Sequence, residues 1–175
     1  MSEMTISIVL YGNFNIHDTK SWLNFYDYGL DLFEQYSFNP NYIGIIGNDF
    51  TSGKVLSLKR TEKRLMKSLG DSSCISSMAF YSLPKGFTQA AFDYLFYLGR
   101  TWEEENPSTS HIILTFPENL YNSLNISNLC LSLKEYIDFK EGQIFKMSRY
   151  ECPMFYASKV NEPKDYSTFK VLFTL

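Results

Sequence analysis

Thr5-Ile6-Ser7-Ile8-Val9-Leu10-Tyr11-Gly12-Asn13 alternates its side chains as an extended chain does: Ile6, Ile8 and Leu10 fall on one face and Thr5, Ser7 and Val9 on the other. Gly12-Asn13 stops the run, so a half-buried strand is expected here. His111-Ile112-Ile113-Leu114-Thr115-Phe116 is instead apolar almost throughout before Pro117 turns it. That is the pattern of a strand buried on both faces.

Between and beyond these strands the period changes. Asp18 can cap a helix in which Trp22, Tyr26, Leu30, Phe33 and Tyr36 recur every three or four residues, ended by Asn39-Pro40. Tyr42-Ile43-Gly44-Ile45-Ile46-Gly47 reads as a central strand whose glycines admit a close backbone or ring. Ser57 opens a second helix with Leu58, Leu65 and Leu69 inward, closed by Gly70. A third strand is expected near Ile75 to Tyr81. Residues 87 to 102 fit both a strand alternation (Phe92, Tyr94, Phe96, Leu98) and a helical repeat (Phe87, Ala91, Leu95, Leu98, Trp102); Thr88 as a cap favours helix. A further helix is expected from Asn125 to Phe139, then strands over 143–150, 154–158 and 168–175. The sum is a single α+β domain over residues 1–175, a mixed and mostly antiparallel sheet with three to four helices.

Composition excludes several classes. The chain has 175 residues, 45% hydrophobic and 20% charged, with 9 Gly and 6 Pro, outside the disordered and collagenous ranges. Sixteen basic against nineteen acidic side chains give a net charge of −3, the wrong balance for a dedicated nucleic-acid binder. Its apolar runs fall far short of the about 20 residues that span a bilayer. Met1-Ser2-Glu3-Met4 places an acid where a signal peptide needs base, and Phe169 to Leu175 lacks a lipidation cysteine. A cytoplasmic location and no membrane partner are therefore expected. Cys74, Cys130 and Cys152 are odd in number and widely spaced, as reduced thiols are.

No catalytic or metal motif can be written. His17 and His111 stand alone, no GxSxG elbow exists, and Gly44, Gly47, Gly53 and Lys54 miss the phosphate-loop register. No metal, cofactor or catalytic residue is expected. Charge and aromatic content are more telling. Lys59, Arg60, Lys63, Arg64 and Lys67 cover one helical face, a solvated surface that could also meet phosphate or an acidic protein. Asp27, Asp31 and Glu34 form an acidic ridge along the first helix, and Glu103-Glu104-Glu105 follows Trp102. Both acidic groups suit docking of a basic partner better than acid–base chemistry. Thirteen tyrosines, more than one small core satisfies, suggest rings at a surface that binds protein. A ligand cleft around Gly44, Gly47 and Arg64, with tyrosines lining it, is the competing reading.

The order of features resembles small immunity proteins of bacterial polymorphic toxin systems, of the contact-dependent inhibition or type VI secretion kind. The features are an amino-terminal strand, a helix bearing Trp22 and Tyr26, the Tyr42-Ile43-Gly44 strand, a basic helix, and Trp102 before an acidic break and a buried strand. Gly142-Gln143-Ile144-Phe145 is a further landmark. The resemblance implies a non-enzymatic protein that neutralises a cognate toxin domain by stoichiometric binding, with Asp27, Asp31, Glu34 and Trp102 to Glu105 as the contact surface. A phage or mobile-element inhibitor of a host enzyme would make nearly the same physical demands.

Overall fold

The computed structural model describes residues 4–84 and 94–175. Among them eight strands form one sheet: β1 (Met4–Asn13), β2 (Tyr42–Gly47), β3 (Val55–Ser57), β4 (Ile75–Ser82), β5 (Phe96–Thr101), β6 (His111–Pro117), β7 (Asp138–Ser148) and β8 (Lys170–Thr174). Their spatial order is β3-β2-β4-β5-β6-β1-β7-β8, and every pairing is antiparallel. Four α-helices accompany them: α1 (Thr19–Gln35), α2 (Leu58–Gly70), α3 (Ile126–Lys134) and α4 (Pro153–Ala157). The fold is α+β with an antiparallel sheet.

The helices α1, α2 and α3 lie on one face of the sheet. Ile6, Ile8 and Leu10 of β1 point there, into a core shared with Trp22, Phe25 and Phe33 of α1, Leu65 of α2 and Leu133 of α3. The opposite face carries Val9, Tyr11, Ala79, Tyr81, Tyr97, Ile113 and Phe145 and is covered by Ala157, Met154, Tyr156, Tyr166 and Phe169 of the C-terminal segment. That segment is clasped shut by Glu151, whose carboxylate accepts from the backbone N–H groups of Ser167 at 2.6 Å and Thr168 at 3.0 Å and from both hydroxyls.

This second cover corrects several expectations. β1 is buried on both faces, because Ser7 and Val9 are fully buried beside the apolar row. The hydroxyls of Ser7 and Thr115 satisfy each other across the β1–β6 pair at 2.7 Å. The segment 154–158 is helix α4, not a strand. Residues 96–101 are strand β5, so the helix favoured for 87–102 does not extend there; residues 85–93 of that span lie outside the described residues. The helix expected to reach Phe139 stops at Lys134, and Phe139 already belongs to β7. β2 is not central; it is next to the edge, between β3 and β4.

Close approach fixes α1. A side chain at Gly29 would meet the Phe80 ring at 2.5 Å, so only glycine lets the helix settle onto β4 at this depth. Among the described residues no helix is long and apolar enough to cross a membrane.

Candidate functional site

The acidic ridge follows from how α1 is anchored. Asp18 caps it, accepting from the Ser21 N–H at 2.9 Å. Its stripe of Trp22, Phe25, Tyr26, Gly29, Leu32 and Phe33 is buried, which turns Asp27, Asp31 and Glu34 to solvent. The chain leaves α3 through Glu135-Tyr136, and the Tyr136 ring packs 5.1 Å from Tyr28 and 5.5 Å from Phe25. The Tyr136 phenol is pushed up by burial and then by Glu135, with Asp27 and Asp31 adding to it against the opposing pull of Arg100. Three acids therefore surround one half-buried ring, and the ridge that α1 begins continues onto the end of α3. None of Asp27, Asp31, Glu34 and Glu135 forms an ion pair with a described residue. Leu23, one turn before Asp27, and Leu131 on α3 add exposed apolar surface.

The basic residues lie on the adjacent helix. α2 buries Thr61, Leu65, Ser68 and Leu69 and leaves Lys59, Arg60, Lys63, Arg64 and Lys67 exposed. The Tyr26 hydroxyl donates to Glu62 at 2.9 Å and ties the two helices together. The outer helical surface is thus bipolar, with the exposed face of α1 and the Glu135 cap of α3 acidic and α2 basic.

Trp102 and the three glutamates do not join that ridge. Trp102 packs edge-on to Phe14 at 5.9 Å, just before α1 begins, and Ser110 Oγ accepts from the Glu103 N–H at 2.9 Å. Burial and then Glu105 raise the Glu103 carboxyl, while Glu104 and Glu105 are exposed. Glu34 sits in the last turn of α1, at the other end of a helix about 25 Å long. The acidic residues make two surfaces, not one.

The expected cleft at Gly44, Gly47 and Arg64 is not assembled. Gly44 faces the Tyr81 ring across the sheet. Gly47 and Arg64 do meet around the turn after β2, but the space is filled by buried Phe50. Arg64 lies 4.3 Å over its ring and donates to the Asp49 carbonyl.

Two constellations escaped the sequence. Arg100 on β5 is 1% exposed, with its guanidinium 4.2 Å from the Phe14 ring and 4.5 Å from Trp22. Its Nη2 donates to Ser21 Oγ at 3.0 Å, and burial lowers its pKa to about 10 against the opposing pull of Asp18. The second is a cleft of about 350 Å³ where Tyr11, residues 141–143 of β7 and Thr174 of β8 meet Tyr156, Lys159 and residues 161–163. The Tyr11 hydroxyl donates to the Ala157 carbonyl at 2.7 Å, Tyr156 donates to Gln143 Oε1, and the Lys159 ammonium stands 4.6 Å over the Tyr11 ring. Behind Tyr11, at 5.9 Å, lies fully buried His111. Its Nδ1 donates to the Thr109 carbonyl at 2.7 Å, and burial, with Lys159 adding to it, pushes its pKa down to about 4. His111 is therefore a neutral core residue. Among the described residues no group of three or more His, Cys, Asp or Glu side chains could hold a metal ion.

No family model matches the chain, and no curated protein matches it in sequence. Among solved structures, the Pseudomonas aeruginosa T6SS protein PA0821 superposes with a TM-score of 0.52 at 12% identity, over 82% of this chain and 40% of that one. The present chain thus spans well under half the length of that protein, and at this identity the likeness is one of fold.

Proposed function

We propose that this protein is an immunity protein that neutralises a cognate bacterial toxin domain by one-to-one binding in the cytoplasm, without turnover. Its contact surface is the acidic, tyrosine-bearing face of α1 and the end of α3. The observation that carries this reading is the gathering of Asp27, Asp31 and Glu135 near Tyr136, none of them in an ion pair with a described residue; Arg100, the cation that also acts on this ring, is itself buried against α1. A surface of unpaired like charge around amphipathic rings recognises a basic protein surface: the charges steer encounter and the rings supply contact area. A basic toxin domain fits that chemistry. The fold likeness to a T6SS protein supports the same context, since toxins that such systems deliver require protection inside the cell.

The test is capture of the tagged protein from its native cells, identification of the neighbouring reading frame, and assay of the partner's toxic activity with increasing amounts of this protein. Inhibition complete at one equivalent is expected. A neighbouring toxin domain that stays fully active in excess protein overturns the reading. With the complex in hand, D27K/D31K should slow association at least about tenfold at low salt, and much less at about 0.5 M salt where the Debye length is short. If that variant associates normally and Glu103→Lys/Glu104→Lys/Glu105→Lys does not, the contact lies at the Trp102 end.

A further inference from the structure

The cleft beside Tyr11 has a composition that selects one kind of ligand. Its walls are the rings of Tyr11 and Tyr156, with the Glu141 and Glu162 carboxylates and the amides of Gln143 and Asn161 around them. The Tyr11 phenol is held by a hydrogen bond at its edge, which leaves an electron-rich ring face to act, while the Tyr156 ring, packed against Phe145 and Phe169, forms the wall beside it. Glu162 is engaged by Lys164 at 2.6 Å, whereas Glu141 is exposed and forms no ion pair with a described residue.

The cleft already contains a cation, its own. Lys159 places its ammonium 4.6 Å from the Tyr11 ring centre without an ion pair to any described residue. It does so from a left-handed backbone conformation, φ 56°, which a residue with a Cβ adopts only at some cost. The Lys159 N–H donates to the Tyr156 carbonyl at 3.0 Å and holds that turn. The ammonium rides on a flexible four-carbon stem that can swing into solvent, so the ring face is occupied but not sealed.

We infer that this cleft is a receptor site for an alkylammonium or guanidinium group, either a free amine or the lysine or arginine side chain of a polypeptide, and that Lys159 is a built-in occupant which the incoming cation displaces. A ring face at the centre and a carboxylate at the rim suit a cation, and a volume of about 350 Å³ falls in the range of small-ligand sites. The site lies on the face of the sheet that the C-terminal segment 153–169 crosses as a strap, away from the acidic helix face, and does not depend on the partner proposed above.

The experiment is a titration of the full chain followed by NMR, reading the ring resonances of Tyr11 and Tyr156, with ethylguanidinium, the tripeptide acetyl-Gly-Arg-Gly-amide and butyrate as probes. Lys159→Gly removes the competing ammonium and places at φ 56° the residue that adopts it without strain, so the variant keeps the fold. Ethylguanidinium should shift both tyrosines and bind Lys159→Gly roughly twofold to fivefold more tightly than the unaltered chain, the equivalent of one exposed cation–π contact. Glu141→Gln should weaken it. Tighter binding of the tripeptide identifies a polypeptide side chain as the source, and tighter binding of ethylguanidinium a free cation; either supports the site. Butyrate binding as well as the cations, affinity unchanged in Lys159→Gly, or unmoved tyrosine resonances each overturns it.

Discussion

Acidification should destabilise this protein in a window set largely by one residue. His111 is fully buried, and its pKa is pushed down to about 4 from an ordinary value of 6.5. The folded chain holds it neutral, with Nδ1–H on the Thr109 carbonyl, while the unfolded chain protonates it freely. Its contribution is therefore complete above pH 6.5 and is withdrawn as pH falls from there towards 4. At about 1.4 kcal/mol for each pH unit, roughly 2 kcal/mol is lost between pH 7 and pH 5. That is a large share of the about 5–15 kcal/mol that holds an ordinary domain together. The other histidine, His17, is exposed, and carboxylates titrate mostly below this window. The assay is urea unfolding at pH 7, 6 and 5 for the unaltered chain and for His111→Phe. The variant starts about 1–3 kcal/mol less stable because the Thr109 carbonyl loses its donor, but its stability should stay flat, so the gap narrows as pH falls. A gap that is the same at pH 7 and pH 5 would refute the argument that burial keeps this imidazole neutral.

Two further substitutions probe what positions the surfaces. Gly29→Ala should lower stability even though alanine favours an exposed helix by about 1 kcal/mol: the new methyl meets Phe80, which is fully buried and packed against Phe25, Tyr26 and Phe33, and overpacking costs about 1–3 kcal/mol. A thermal midpoint falling by a few degrees is expected, and a rise would show that α1 has room to move. Glu151→Ala removes the acceptor that ties residues 167 and 168, at the far end of the strap, to the turn after β7. Amide exchange over 153–169 should quicken at least tenfold while β1 and β6 stay protected; uniform quickening would mean the strap is not an independent unit.

How much of this was readable from the chain depends on whether a segment answers to one partner or two. β1 and β6 were legible because their side chains alternate, or are apolar throughout, in register with a sheet. α1 and α2 were legible because each packs on one face only, so period and cap agree. Residues 96–101 misled because both faces of β5 are covered: Phe96 and Leu98 enter the helical core, and Tyr97 enters the other. With apolar groups on both sides, a strand can satisfy a helical repeat as well as its own. The burial of Thr5 and Ser7 has the same source, since nothing in an alternating polar row tells that a distant segment will cover it.

α4 shows what kind of signal decides such cases, and why the cleft stayed hidden. Met154-Phe155-Tyr156 has the composition of a strand, yet Pro153 stands in its first turn. There proline's missing N–H costs nothing and its fixed φ favours the helix. Reading that proline as a helix start, and not as a break between strands, would have turned Tyr156 and Ala157 onto the sheet and brought Lys159 within reach of Tyr11. The acidic ridge needed no such correction, because Asp27, Asp31 and Glu34 belong to one helix and their spacing alone places them together. Glu135 and Tyr136 joined it only because α3 stops a turn earlier than its apolar pattern suggests, delivering them to the side of α1. What a single element carries can be read from spacing; what two elements build depends on where each one ends.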